Sequence, residues 1–311
     1  MNTQFSQAVQ RLENNLCAVI RGKDEAIRLV VTALLAGGHV LLEDVPGTGK
    51  TTLAKALARS LDGTFRRVQF TPDLMPADIT GSYFLSGDGS WEFRAGPVFA
   101  NVLLADEINR TSPRTQSALL EVMSEGQVSV EGQSRSVPQP FFVIATQNPS
   151  DFHGTYPLPE AQMDRFAVRL ALGYPDLADE IAVVQSQNEN HPLDDLDRVL
   201  DGAQLCRLQA CIKQVHCERD VTEYIVRLVD ATRRDARLRL GVSPRGSLML
   251  HRMAQAHAAL KNRDYVVPED VHALAVAVLS HRIALDNQSR YGGVRPEQII
   301  EEALHRVPLP R

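Results

Sequence analysis

Asp44-Val45-Pro46-Gly47-Thr48-Gly49-Lys50-Thr51 follows the apolar run Val40-Leu41-Leu42 and precedes a helical pattern at 51–61. Strand, glycine-containing loop and helix in that order open an α/β unit. The loop fits the phosphate-binding pattern GxxxxGK[ST] at every fixed position but the first, where Asp44 stands in place of glycine. In such a loop the backbone N–H groups, with those of the first helical turn, surround a phosphate. Lys50 would bring a mobile cation to the β and γ phosphates, and Thr51 a hydroxyl to Mg²⁺. This reading requires the Asp44 side chain to face away from the phosphates.

Outward from the loop, residues 1–36 read as two helices joined near Arg21-Gly22, with Ile27, Val30, Val31, Leu34 and Leu35 on one stripe and Gly37-Gly38 as the stop. Further apolar runs at Val68–Phe70, Val102–Ala105, Phe141–Ala145 and Phe166–Leu170 lack alternation and suit buried parallel strands. The stretch 73–96 is too long for a simple connection and reads as an insertion. Ser112 and Pro113 predict the cap and first residue of a helix running to about Met123. Residues 125–139, with Val128-Ser129-Val130 between Gly126 and Gly132, predict a two-stranded hairpin. After Pro175 the pattern becomes helical, with no convincing strand run in 176–311. Asp220-x-x-Glu223 predicts a capping box, and Pro268-Glu269-Asp270 the start of a helix spanning about Val271 to Leu285. The expected domains are an α/β core at 1–190 and a helical domain at 191–311, with a polar boundary segment around 186–197.

Asp106 and Glu107 end the run Val102-Leu103-Leu104-Ala105. A carboxylate at the C-terminal end of a buried strand points into the crevice that holds the phosphate loop. Asp106 can hold Mg²⁺ directly or through its water shell, and Glu107 can polarise a water aimed at the γ phosphate; the competing reading is a turn cap. Asn148 follows the next buried run and reads equally as a water-holding amide or as half of an ordinary Asn-Pro turn. Arg245 falls in the first turn of a helix capped by Ser243, where the helix dipole disfavours a cation unless an anion is bound. Arg165, just before the final strand run, reads either as a salt-bridge residue or as a finger reaching a neighbouring subunit's γ phosphate.

The whole chain sets limits. Its 311 residues are 44% hydrophobic and 23% charged, the balance of a globular protein with a large core. No apolar stretch reaches the roughly 18 residues of a membrane span, and no basic-then-apolar signal opens the chain. The expectation is a cytoplasmic protein. A net charge of −5 argues against broad nucleic-acid binding, and the hairpin candidate sets Arg135 beside Glu125 and Glu131. Arginine outnumbers lysine, of which there are five, and suits bidentate phosphate or carboxylate contacts. Cys17, Cys206, Cys211 and Cys217 form no disulfide framework, and the last three, even with His216, lack close zinc spacing; they read as ordinary thiols.

Taken together, these residues resemble the MoxR family of AAA+ ATPases. The resemblance is carried by Leu41-Leu42-Glu43 with the phosphate loop, Gly96-Pro97-Val98-Phe99, Leu104 to Arg110, Gln116 to Glu121, Ala145-Thr146-Gln147-Asn148-Pro149, Leu158 to Phe166, and Ser243-Pro244-Arg245. It spans nearly the whole chain. It implies a P-loop NTPase AAA+ core with a five-stranded parallel sheet, a helix-2 insertion at 73–96, a pre-sensor-1 hairpin at 125–139, and an all-α lid. The nucleotide-contacting set implied is Pro46, Gly47, Thr48, Gly49, Lys50, Thr51 and Thr52, with Arg21 and Gly22 near the adenine. Asp106 and Glu107 become the Walker B pair, Asn148 sensor 1, Arg165 a trans-acting finger and Arg245 sensor 2; Asp at position 44 is tolerated in the family. The implied ligands are ATP and Mg²⁺. The implied assembly is a hexameric ring that remodels protein clients, often von Willebrand factor A domain proteins. Two rival readings are the motor subunit of a magnesium chelatase and a nucleotide-controlled scaffold with negligible hydrolysis. The Asp106-to-Arg110 region favours MoxR over chelatase, and the intact Glu107, Arg165 and Arg245 speak against a scaffold.

Overall fold

The computed structural model describes residues 3–148, 155–186 and 192–310. Pro149 of the quoted motif and residues 187–191 of the expected boundary segment lie outside the described residues. Two helices lead, α1 (Thr3–Val19) and α2 (Asp24–Leu35), and the apolar stripe of α2 is buried. Strand β1 (Val40–Glu43) feeds the phosphate loop and α3 (Lys50–Ser60), and β2 (Phe65–Gln69) follows. The 73–96 stretch folds as a short helix, α4 (Pro76–Thr80), and a hairpin of β3 (Gly81–Leu85) and β4 (Trp91–Ala95). Strand β5 (Val102–Asp106) then passes through a 3-10 turn at Ile108–Arg110 into α5 (Pro113–Glu125). The Ser112 hydroxyl accepts the N–H of Thr115, which fixes the start of α5.

The second hairpin is β6 (Gln127–Val130) with β7 (Gln133–Ser136), and it leads to β8 (Phe142–Gln147). Next come α6 (Glu160–Met163), β9 (Val168–Leu170) and α7 (Leu177–Ser186). The C-terminal part holds α8 (Gly202–Ile212), α9 (Arg219–Arg233), β10 (Leu238–Leu240), α10 (Pro244–Leu260), α11 (Pro268–Leu279), β11 (Ala284–Leu285), α12 (Asn287–Tyr291) and α13 (Pro296–Arg306).

The main sheet has the order β2-β5-β8-β1-β9 and is parallel throughout. Successive strand residues point to opposite faces, and the core divides accordingly. Val40, Leu42, Val102, Leu104, Phe142 and Ile144 belong to a cluster shared with α1–α3 and the C-terminal helices. Leu41, Leu103, Ala105, Val143 and Ala145 belong to the other, which Leu119, Leu120 and Val122 of α5 cover. Parallel strands with helices on both faces place the ends of β1, β5 and β8 along one edge, the edge where ligands bind in such sheets.

Four sequence expectations need correction. Strand β2 covers Phe65–Gln69 rather than Val68–Phe70, because this edge strand carries exposed Arg66 and Arg67 that interrupt the apolar run. Helix α9 begins at Arg219 after Glu218, so Asp220 lies in its first turn and caps nothing; an acid there still meets the positive helix end. Helix α11 starts at Pro268 and stops at Leu279, not Leu285, and a 3-10 turn at Ser280–Arg282 replaces its continuation. The C-terminal part is not free of strands, since β10 and β11 pair antiparallel.

Candidate nucleotide site

The phosphate loop bends at two glycines. Gly47 and Gly49 adopt φ of +87° and +92°, a region that residues bearing a Cβ rarely enter. A Cβ on Gly47 would meet nothing within 4 Å, so conformation alone demands glycine there. Gly49 is the N-cap of α3, whose first-turn N–H groups lack intrahelical partners and remain for a ligand. Lys50 Nζ donates to the main-chain carbonyls of Asp44 at 3.1 Å and Val45 at 2.7 Å, lying across the loop that it would leave for a phosphate. The Asp44 side chain is turned elsewhere. Its Oδ1 accepts the Val45 N–H, and its Oδ2 accepts the N–H groups of Leu172 and Gly173, each at 2.9 Å.

The acids approach from β5. Asp106 is buried, with Oδ1 accepting from the Thr146 hydroxyl at 2.6 Å and Oδ2 from Arg67 Nη2 at 2.6 Å. The Thr146 hydroxyl also accepts the Glu107 N–H at 2.9 Å, so one β8 residue holds both acids in register. Glu107 departs from the strand in the left-handed region at φ +57°. That conformation costs a non-glycine residue about 1 kcal/mol or more. Its Oε2 accepts from Gln69 Nε2 at 2.8 Å and Arg110 Nη1 at 2.9 Å.

Lys50, Thr51, Asp106, Glu107 and Asn148 line one cleft of about 380 Å³. An adjoining cavity of about 210 Å³ lies between Val19, Ile20, Gly49, Thr52, Pro175 and Val183. It offers apolar walls beside the phosphate loop, a shape and polarity suited to a nucleobase. The glycine loop, the lysine, and a hydroxyl and carboxylate in one cleft are a donor set that fits a Mg²⁺-bound triphosphate.

Residues 39–168 match the family described as "ATPase family associated with various cellular activities (AAA)", and residues 230–303 match "AAA lid domain". The chain is 41% identical to Chaperone MoxR1 of Mycobacterium tuberculosis, across 94% of this chain and 80% of that one. The chain belongs to the MoxR family of AAA+ ATPases. It is also 48% identical to the uncharacterized protein YeaC of Bacillus subtilis, across 94% of this chain and 92% of YeaC. A crystal structure described as a candidate ATPase from Cytophaga hutchinsonii superimposes with a TM-score of 0.92 at 36% identity, covering 99% of this chain and 96% of that one.

The remaining residues singled out in this MoxR-family chain are distributed as follows. Pro46, Thr48 and Thr52 line one or both cavities, and Arg21 lines the base-sized one. Gly22 sits just outside the lining with φ +68°, and a Cβ there would fall 1.9 Å from Asp179 Oδ2, so glycine lets α7 approach. Arg165 and Arg245 are not brought into the phosphate cleft. Arg165 donates to the Leu120 carbonyl at 2.7 Å and to the Ser124 hydroxyl, and Arg245 is exposed on the first turn of α10.

Sequence reasoning missed Arg67, Gln69 and Thr146, which line the cleft and hold the two acids. Arg67 and Gln69 alternate along an edge strand, a pattern open to many explanations before β5 is known to be its neighbour. A larger open cavity of about 870 Å³ lies elsewhere, beside Arg11, Lys55, Arg59 and Arg198. Neither the phosphate loop nor the acids line it. No helix among the described residues is long and apolar enough to cross a membrane.

Proposed function

We propose that this chain hydrolyses ATP as one subunit of a hexameric ring that remodels protein clients bearing von Willebrand factor A domains. The observation that carries the reading is the meeting of Lys50 and Thr51, Asp106 and Glu107, and Asn148 in a single cleft at the ends of three neighbouring strands. A cytoplasmic location belongs to the same reading. The relative described as Chaperone MoxR1 supports the chaperone-like part of it.

In this reading Lys50 leaves the carbonyls of Asp44 and Val45 for the β and γ phosphates. Thr51 and Asp106 are the residues that would hold Mg²⁺, which when bound would neutralise charge on the phosphate oxygens. Glu107 takes a proton from water as its oxygen bonds to the γ phosphorus and the bond to the bridging oxygen breaks, giving ADP and phosphate. Asn148 holds the same water from the β8 side. Arg165, directed away from its own cleft, serves a neighbour's γ phosphate. Arg245 reports nucleotide state to the helical domain, 191–311, as that domain moves against the core, 1–190.

Glu107→Gln tests this directly. The variant should bind ATP with near-normal affinity, turn over about 100-fold more slowly or worse, and retain its client in a pull-down with ATP. Unchanged phosphate release would remove Glu107 as the base, and no affinity of the wild type for ATP with Mg²⁺ would end the motor reading.

A further inference from the structure

Arg282 lies 118 positions along the chain from Asp164, yet among the described residues the two make the most enclosed ion pair of the lid–core junction. The Arg282 side chain has 0% exposure. Its Nε donates to Asp164 Oδ1 at 2.9 Å, Nη2 to the carbonyls of Asp164 and Phe166, and Nη1 to that of Ala167. The guanidinium therefore grips the backbone on both sides of Arg165. Planar donors in a fixed fork suit this task, and a lysine could not reproduce it.

The other oxygen of Asp164 leads to α10. Ser243 Oγ donates to Asp164 Oδ2 at 2.8 Å and accepts the N–H groups of Arg245 at 3.1 Å and Gly246 at 3.4 Å. One hydroxyl thus caps the turn that bears Arg245 and ties it to the residue preceding Arg165. Gly246 completes the junction. A Cβ there would lie 3.0 Å from Arg282 Cδ and 2.3 Å from Val242 Cγ1, so glycine at 246 lets Arg282 pass beneath the turn.

We propose that Ser243, Asp164 and Arg282 are positioning residues that couple the first turn of α10, with Arg245, to the segment that presents Arg165. Movement of α10 is then transmitted to Arg165 through a partly buried hydrogen-bonded chain. The consequence for turnover rests on the proposed ATPase reading; the mechanical coupling does not.

The test uses Ser243→Ala, which keeps the Asp164–Arg282 ion pair, and Ser243→Thr, which keeps the hydroxyl. Amide hydrogen exchange of the full chain without nucleotide reads the coupling. In Ser243→Ala, exchange should rise at 245–246 and also at 165–167, and Ser243→Thr should restore both. A rise confined to 245–246 would overturn the proposal.

Phosphate release under ring-forming conditions reads the consequence. Ser243→Ala should lower kcat by about tenfold or more with the KM for ATP nearly unchanged. Ser243→Ala combined with Arg165→Ala should be no slower than Arg165→Ala alone, because the effect passes through Arg165. Multiplicative losses would overturn that route. A wild type without ATPase activity would instead sink the functional reading, and the exchange measurements would still decide the coupling.

Discussion

The carboxylate of Asp44 binds the main chain of Gly173: Oδ2 accepts the Gly173 N–H at 2.9 Å, and the neighbouring Leu172 N–H at the same distance. Asp44 opens the phosphate loop, and Gly173 lines the base-sized cavity. One side chain therefore fixes the two halves of the candidate nucleotide site relative to each other. The residue that departs from the general loop pattern is a brace, its carboxylate engaged by the main chain of Leu172 and Gly173.

Asp44→Ala should leave the Leu172 N–H buried without an acceptor and release the Gly173 N–H. The expected loss is about 2–3 kcal/mol of stability, read by urea unfolding, together with weaker ATP binding. Wild-type stability would show that Asp44 braces nothing. Asp44→Asn, which keeps one acceptor, should lose less.

Arg67 holds Oδ2 of Asp106, the carboxylate proposed to bind Mg²⁺. The pair is partly exposed, with the Arg67 side chain at 48%, and such pairs are worth about 0.2–1 kcal/mol. Arg67→Gln should therefore lower the free Mg²⁺ needed for half-maximal turnover by up to about fivefold. A higher requirement would mean that Arg67 assists metal or nucleotide binding.

Arg165 touches α5, through Leu120 and Ser124, and not its own phosphate cleft. Arg165→Ala should leave nucleotide affinity within about twofold while turnover in a verified ring falls by about 10³-fold, the scale of a lost arginine finger. Undiminished turnover in an intact ring would reduce Arg165 to a helix contact.

His39 gives the stability curve an acid slope. It lies buried between β8 and α5, where Nδ1 accepts the Val143 N–H and Nε2 donates to the Met123 carbonyl. Burial pushes its pKa down from 6.5 to about 4, outweighing the Met123 contact. Between those values the unfolded chain binds a proton that the folded chain refuses, so stability falls as pH drops below 6.5 and levels off near 4. From pH 7.5 to 5 this one group should remove about 2 kcal/mol. In urea titrations His39→Gln should be less stable at pH 7.5 but show a shallower acid slope; an unchanged slope would place the sensitivity elsewhere.

Some of this architecture was legible because its causes are local. A loop with glycines at 47 and 49, between an apolar run and a helical pattern, has few conformations available to it. Ser112 before Pro113 marks a helix start by the hydrogen bond and fixed φ of those two residues alone. Expectations faltered where distant groups intervene. Asp220 has the composition of a cap but falls inside α9, and α11 ends early at the turn where Arg282 enters the junction with Asp164.

The amino-acid sequence alone determined the phosphate loop, the order of strand, loop and helix, and the placing of two acids at a strand end. Each follows from residues adjacent in the chain, whose backbone preferences act without reference to the rest. Only the tertiary structure decided that Asp44 turns to Gly173, that Arg67 and Thr146 hold Asp106, and that Arg282 spans to Asp164. Those partners meet through the crossover order of the sheet and the packing of the lid. A buried charge or amide takes whichever complementary group the fold delivers within about 3 Å, and nothing in its own neighbourhood along the chain names that group.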